Sequence, residues 1–259
     1  LHVLSNSDYV AGEDTRSVRA LFKLLKISKS IKSIISYHDH SSAHTRGKII
    51  ELIKQGKSVA LVSDAGTPLI SDPGYKLVKT TIEEGFEVFS VPGPSSVIAA
   101  LTVSGLPTDT FSFLGFLPNT KSKKKKLLET YLNLGSSLII FESGKRLQKT
   151  LELLAETCRP STEICICREL TKLNEEVTRF KAQEGMSVTK KMRSLKGEFV
   201  IVVGKNEARD FDLKNLDEQL RKIKKSMSMK DSVDFLAEKL NIPKKIIYKN
   251  ALTIFKDNN

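Results

Sequence analysis

Apolar residues gather in short runs separated by stretches of helical periodicity, the alternation expected of βαβ units in an α/β protein. Residues 59–63, VALVS, form an apolar run of strand length and predict a buried strand. A loop rich in Gly and Pro follows over residues 64–74, then an amphipathic helix to about Glu84. Residues 86–91 predict the next strand, Pro92-Gly-Pro94 interrupts it, and residues 95–104 predict a helix with Ser95 or Ser96 as N-cap. Further strands are expected at residues 111–116, 137–141, 163–167, 176–180 and 198–203. The alternation at Thr178 and Phe180 marks an antiparallel element, so this second sheet is expected to be mixed. Beyond Gly204 the pattern turns polar, and residues 205–212 read as a linker into helices at 216–223, 231–240 and 244–255. The expected organisation is an N-terminal α/β domain (1–107), a second α/β domain (108–205) and a helical tail (206–259).

Composition narrows the class. With 259 residues, 40% hydrophobic and 28% charged, the chain can bury a core without disulfides or metal. Cys158, Cys165 and Cys167 are too few for a disulfide scaffold, and Cys165 and Cys167 at i and i+2 predict small core residues on one strand face. No run approaches a membrane span and no secretory leader pattern is visible, so a soluble, cytoplasmic protein is expected. The formal charge of +12 fits a polyanionic partner such as RNA or an acidic membrane surface, or the surface habit of a lysine-rich proteome.

The loop over residues 64–74 is the most informative segment, because a long Gly/Pro loop directly after a strand is usually functional. Ligands in open α/β sheets bind beyond the carboxyl ends of strands, which puts Asp64 at a pocket where its carboxylate suits a ribose diol or an ammonium group. The alternative is an Asx-turn that only holds the loop together. Ser95 and Ser96 open a helix whose free N–H groups can meet a ligand's polar edge. The GxGxxG spacing of a dinucleotide site and the Gly-Lys-Ser/Thr ending of a P-loop are both missing.

The strings SDAGTPLISDPGY (63–75), VPGPSS (91–96), SGLPTDTFSFLGFLP (104–118), GEDTR (12–16), RELTK (168–172) and GEFVIVV (197–203) carry a resemblance over nearly the whole chain. Together they resemble the small-subunit ribosomal RNA methyltransferases of the tetrapyrrole-methylase superfamily. The resemblance implies a two-domain fold that binds S-adenosylmethionine between its halves. It also implies a homodimer acting on the 2′-OH of a cytidine in 16S ribosomal RNA. By matching motifs it places cofactor contacts at Asp64, Thr67, Ser95 and Ser96, near Glu142 and near Leu170. That family begins with a short strand and a Thr-Pro-Ile-Gly-Asn-Leu loop forming one wall of the cofactor site, whereas Leu1 aligns inside the following helix, so this wall is expected to be missing. Gly144 and Lys145 stand where the family has Pro or Thr and then His, so no role of that His carries over.

Methyl transfer to a ribose oxygen depends chiefly on aligning the reactants and excluding water, with a group nearby to accept the hydroxyl proton. Glu13, Asp14 and Arg16 follow a predicted strand at residues 9–11 and are the candidates beside the substrate: Arg16 to hold phosphate, an acid to orient the hydroxyl. The competing assignment is a helix cap with Arg16 paired to it. His38, Asp39, His40 and His44 invite a metal reading, but no second ligand cluster accompanies them, and a polar rim or a helix start near Ser41 and Ser42 suits them better. Residues 121–126, KSKKKK, precede a predicted helix at 127–134 and can contact phosphates or form a solvated charge run. Lys244, Lys245, Tyr248 and Lys249 give the tail a basic face with one aromatic, for RNA or merely as a bundle surface. Two other functions remain open: methylation of a small tetrapyrrole, and a non-catalytic ribosome-binding protein.

Overall fold

The computed structural model describes residues 1–28, 33–38, 43–205, 213–224, 226–240 and 244–256. Helix α1 (His2–Asn6) leads into β1 (Tyr9–Gly12), α2 (Thr15–Leu24), β2 (Ile34–Ser36), α3 (Ala43–Lys54) and β3 (Val59–Val62). The three strands form a parallel sheet in the order β2-β1-β3. Packing is close where β1 turns into α2: a Cβ on Gly12 would stand 2.5 Å from a Val18 methyl, so only glycine lets the helix start this near the strand.

Helices α4 (Tyr75–Glu83) and α5 (Ser96–Ser104) follow. The strand expected at residues 86–91 does not form; these residues join no ladder, and Phe89 is 78% exposed. In the same way, β3 pairs among the described residues only with β1, and its four residues are half-buried rather than buried. An apolar run of strand length needs a neighbouring edge to pair with, and residues 86–91 find none among the described residues.

A second sheet contains β4 (Phe111–Phe116), β5 (Ser137–Ser143), β6 (Glu163–Arg168), β7 (Glu176–Lys181) and β8 (Glu198–Val203) in the order β4-β5-β8-β6-β7. Only β4 and β5 are parallel; the other pairs are antiparallel, the mixed sheet that the Thr178/Phe180 alternation implies. One face packs against α6 (Lys121–Leu132), α7 (Gly144–Thr157) and α8 (Gly185–Lys191), through Leu128, Leu138, Ile140, Leu147, Ile166 and Ile201 among others. Val97, Ala100 and Leu101 of α5 cover the opposite face against Ile139, Cys165, Cys167 and Val202. The buried Cys165 and Cys167 thiols lie 3.8 Å apart on that face, as their spacing requires. The lysine run does not precede a helix but forms the first half of α6, since lysine is a good helix former and Thr120 marks the start.

The tail comprises α9 (Leu213–Ile223), α10 (Met229–Leu240) and α11 (Lys244–Lys256), with a core of its own around Leu216, Leu220, Leu236, Ile247 and Ala251. Most of the expected linker, residues 206–212, and the break at Asn241 to Pro243 lie outside the described residues.

Gly144 has no room for a side chain: a Cβ there would coincide with the Leu195 carbonyl. Gly144→Ala should therefore lower unfolding stability by about 1–3 kcal/mol. Gly47, in mid-α3, has open space where a Cβ would stand and should gain roughly 0.5–1 kcal/mol on substitution by Ala. Urea unfolding of the two variants checks the opposite signs.

Candidate active site

Strands β1 and β3 run parallel in register, Gly12 beside Val62, so the loops that leave their carboxyl ends emerge side by side. The first carries Glu13, Asp14 and Arg16. Asp14 is the N-cap of α2, its carboxylate accepting from the Arg16 backbone N–H at 2.8 Å, from Arg16 Nε at 3.1 Å and from Arg16 Nη2 at 2.7 Å. These bonds from Arg16 hold the Asp14 carboxyl down at about 2, which makes it a poor proton acceptor. Capping and pairing, the alternative open in the sequence, is what Asp14 does. Glu13 is exposed, and no described residue partners its carboxylate. The Arg16 guanidinium, held strongly basic by Asp14, also feels the charge of Asp64 in the second loop. Glu13, Asp14, Arg16 and Asp64 thus share one rim.

The loop from Asp64 to Gly74 is fastened at several points. Ser63 Oγ donates to the Ala65 carbonyl at 3.1 Å, and Thr67 Oγ1 donates to the Pro94 carbonyl at 2.8 Å, tying this loop to the one that opens α5. Gly74 (φ 138°) closes it in a conformation few side chains adopt, and a Cβ there would meet Leu61 and Leu69 below 3 Å. Its far end reaches the second sheet: Ser71 Oγ lies 3.4 Å from the Cβ position of Gly115, whose φ of 60° accompanies a bulge in β4. Asp64 itself is exposed.

Ser95 is the N-cap residue of α5 but makes no side-chain cap bond, leaving its hydroxyl and the first N–H groups of the helix available to an anionic or polar ligand edge. Leu170 packs into the cluster that α5 forms with the second sheet, beside Val97, Phe113 and Phe141. The loop around it is strained. Glu169 (φ 50°) and Thr171 (φ 65°) flank Leu170, and Leu69 (φ 73°) and Ser71 (φ 63°) sit in the first loop. Four of the five described non-glycine residues with positive φ fall in these two loops, and such strain concentrates at functional sites.

Glu142 is different. Its side chain is fully buried on the α6/α7 side of β5, the face opposite α5. The carboxylate accepts from Thr150 Oγ1 at 2.6 Å and from the Ser143 N–H at 2.9 Å, and forms ion pairs with Arg146 Nε at 3.1 Å and Lys124 Nζ at 3.9 Å. Every polar direction of the group is occupied internally, so the structure does not bring Glu142 together with the other candidates. His38 lies beyond the end of β2 and His44 in the first turn of α3, while Asp39, His40, Ser41 and Ser42 lie outside the described residues. The Lys245 side chain lies outside them as well.

Sequence reasoning missed the aromatic group Phe113, Phe116 and Phe141, whose rings meet edge to face at 4.9 and 5.7 Å beside Leu170's cluster. The phenylalanine alternation in FSFLGF was the available signal. It also missed Arg179, which donates from Nε to the Ser104 carbonyl at 2.8 Å and from Nη2 to the Val103 carbonyl, closing the C-terminus of α5. Nothing local to Arg179 in the sequence announces that contact.

Two α/β layers joined through α5, with the loop after β3 tied to the start of that helix, have the architecture of a class III methyltransferase fold. The model of the tetrapyrrole (corrin/porphyrin) methylases matches residues 1–185. A ribosomal RNA small subunit methyltransferase I of Rickettsia prowazekii is 40% identical over 257 residues, 99% of this chain and 85% of its own length. A protein of the same name from a Hydrogenobaculum species is 42% identical over 205 residues, 79% of this chain and 87% of its own. Among solved structures, a diphthine synthase superposes with a TM-score of 0.60 at 12% identity, covering 79% of this chain and 82% of that one. The chain belongs to the tetrapyrrole methylase family, in the branch of the ribosomal RNA small subunit methyltransferases I. It is an S-adenosylmethionine-dependent methyltransferase.

Two outcomes follow from the geometry. The Asp14 carboxyl should titrate near 2 by NMR and return toward the ordinary carboxylate range in Arg16→Ala. Because its folded value is depressed, its contribution to stability is present above about pH 4 and disappears as pH falls toward 2. Glu142→Gln should destabilise by roughly 3 kcal/mol, as breaking one side of a buried charge cluster does, while leaving cofactor affinity of the folded protein unchanged. Urea unfolding and cofactor titration separate the two effects.

Proposed function

We propose that the chain methylates the ribose 2′-OH of a cytidine in 16S ribosomal RNA within the small ribosomal subunit. The observation that carries this reading is the 40% identity with a ribosomal RNA small subunit methyltransferase I across 99% of the chain. A small tetrapyrrole substrate would need no polyanion-binding surface, and the charge of +12 speaks for RNA. Work as a homodimer in the cytoplasm belongs to the same reading. No described helix is long and apolar enough to cross a membrane.

The residues present suit S-adenosylmethionine. An exposed carboxylate at Asp64 matches a ribose diol or an ammonium, the uncapped start of α5 at Ser95 and Ser96 offers hydroxyl and N–H groups, and Leu170 with the phenylalanines supplies an apolar wall. Bound there, the cofactor supplies a sulfonium methyl for transfer. Thr67, its hydroxyl committed to Pro94, contributes by fixing the two loops against each other and by its backbone. Arg16 offers a permanent cation to an RNA phosphate while Asp14 sets its orientation. Glu13, unpartnered on the same rim, orients the 2′-hydroxyl and accepts its proton directly or through water. Most of the rate comes from alignment and from excluding water around the reacting atoms.

Calorimetric titration of S-adenosylmethionine tests the cofactor half of this reading: Asp64→Asn should weaken binding about 10–100-fold, the loss of one charge-assisted hydrogen bond. Methyl transfer to unmodified small subunits tests the rest, with Glu13→Gln lowering kcat more than it changes KM. Wild-type protein that binds the cofactor but leaves small subunits unmethylated would overturn the substrate assignment.

A further inference from the structure

The parallel neighbours β4 and β5 each lead from the carboxyl end of the second sheet into a helix, α6 and α7, and the two helices pack together. The segment before α6 meets the start of α7, and α6 then crosses over α7, its first residue Lys121 pairing with Glu156 in the last turn of α7. Arg146, in the first turn of α7, donates from Nη1 to Asn119 Oδ1 at 3.1 Å and from Nη2 to the Leu117 carbonyl, in the segment that precedes α6. Lys124 of α6 reaches Thr150 of α7 at 3.1 Å and faces the buried Glu142.

Charge along both helices runs the wrong way. Lys121, Lys123, Lys124, Lys125 and Lys126 crowd the first half of α6, with Glu129 behind them; Lys145, Arg146 and Lys149 precede Glu152 and Glu156 in α7. Neither helix has an acid in its first turn. A helix favours anions at its N-terminus and cations at its C-terminus, so the cations of the first turns, Lys121, Lys123 and Lys124 of α6 and Lys145 and Arg146 of α7, oppose the macrodipole. Neighbouring acids relieve only part of this: Lys121 pairs with Glu156 and Lys125 with Glu129. Lys123, Lys126, Lys145 and Lys149 are exposed, and no described carboxylate lies within ion-pair distance of them. Two packed helices that carry exposed, uncompensated lysines attract anions, and cations spread over both suit an extended polyanion rather than a single small one.

We infer that the first halves of α6 and α7 form one phosphate-binding surface for the RNA strand, with Lys123, Lys126, Lys145 and Lys149 as its contacts and the Lys124, Glu142, Arg146 cluster holding the two helices in register. The inference rests on RNA being the substrate. Its contacts read the backbone, not the bases, and set how the nucleotide is presented to the rim at Glu13 and Asp64.

The test uses the full chain and a fluorescently labelled small-subunit rRNA hairpin, with Kd followed by anisotropy across a salt series. The variant K123E/K126E/K145E/K149E is compared with K48E/K76E/K190E/K191E, which makes the same charge change at exposed lysines elsewhere. Far-UV circular dichroism and cofactor titration verify that each is folded, and the half-variants K123E/K126E and K145E/K149E are read alongside. The patch variant should bind RNA about 10-fold or more weakly, with a salt slope shallower by about 3 and unchanged cofactor affinity. The control should keep most of the affinity. Equal losses in both variants, or no loss in either, would overturn the surface while leaving the RNA substrate standing. Absence of RNA binding by the wild-type protein would overturn both.

Discussion

The structure depends on helix α5 having no home in the sheet that precedes it. Its apolar residues Val97, Ala100 and Leu101 are buried against Ile139, Cys165, Cys167 and Val202 of the second sheet, and such burial is worth about 1.5–3 kcal/mol for each large side chain. The chain must therefore cross from one layer to the other over residues 92–95. That crossing sets the Asp64 loop against the start of α5, a junction closed by Thr67 and Pro94, while Arg179 of β7 holds the far end of the helix. A helix anchored by its flank and by its C-terminus presents a fixed N-terminus, the requirement for a preorganised polar site.

Much of this was legible in the sequence because it is local. The parallel and mixed sheets follow from apolar runs and the Thr178/Phe180 alternation, and the loop at residues 64–74 announces itself through Gly66, Gly74, Pro68 and Pro73. What escaped was non-local. Residues 86–91 have the composition of a strand, yet pairing depends on a neighbouring edge, which composition does not encode. Glu142 stands in a motif that resembles a cofactor contact, but the parity of β5 turns it toward α6 and α7, where Lys124 arrives from 18 residues earlier and Arg146 from one turn later. The division of labour at GEDTR likewise needed geometry, which gives Asp14 to the helix cap and leaves Glu13 free.

The buried charge cluster and the exposed lysines around it are two parts of one arrangement. Glu142 compensates Lys124 and Arg146 internally, which lets two lysine-rich helices pack together without an outside anion. A pair of this kind adds little net stability over an apolar substitute, yet it specifies one relative placement of α6 and α7. Strand β5 thus packs α5 on one face and the helices that carry this charge on the other, and the proposed chemistry and the proposed attraction of RNA fall on opposite faces of one strand.

The open side of β3 has a consequence for how the protein behaves in a tube. Among the described residues Val59–Val62 pairs on one side only, and the apolar residues Val88, Phe89 and Val91 are solvent-exposed. Unpaired sheet edges and bare apolar segments are templates for strand addition between molecules, and surplus like charge is what keeps such molecules apart. The charge of +12 therefore serves as a colloidal safeguard as well as an attractant. Raising ionic strength to strip nucleic acid from the purified protein screens that repulsion within about 10 Å at 0.1 M, and so removes the barrier to self-association in the same step.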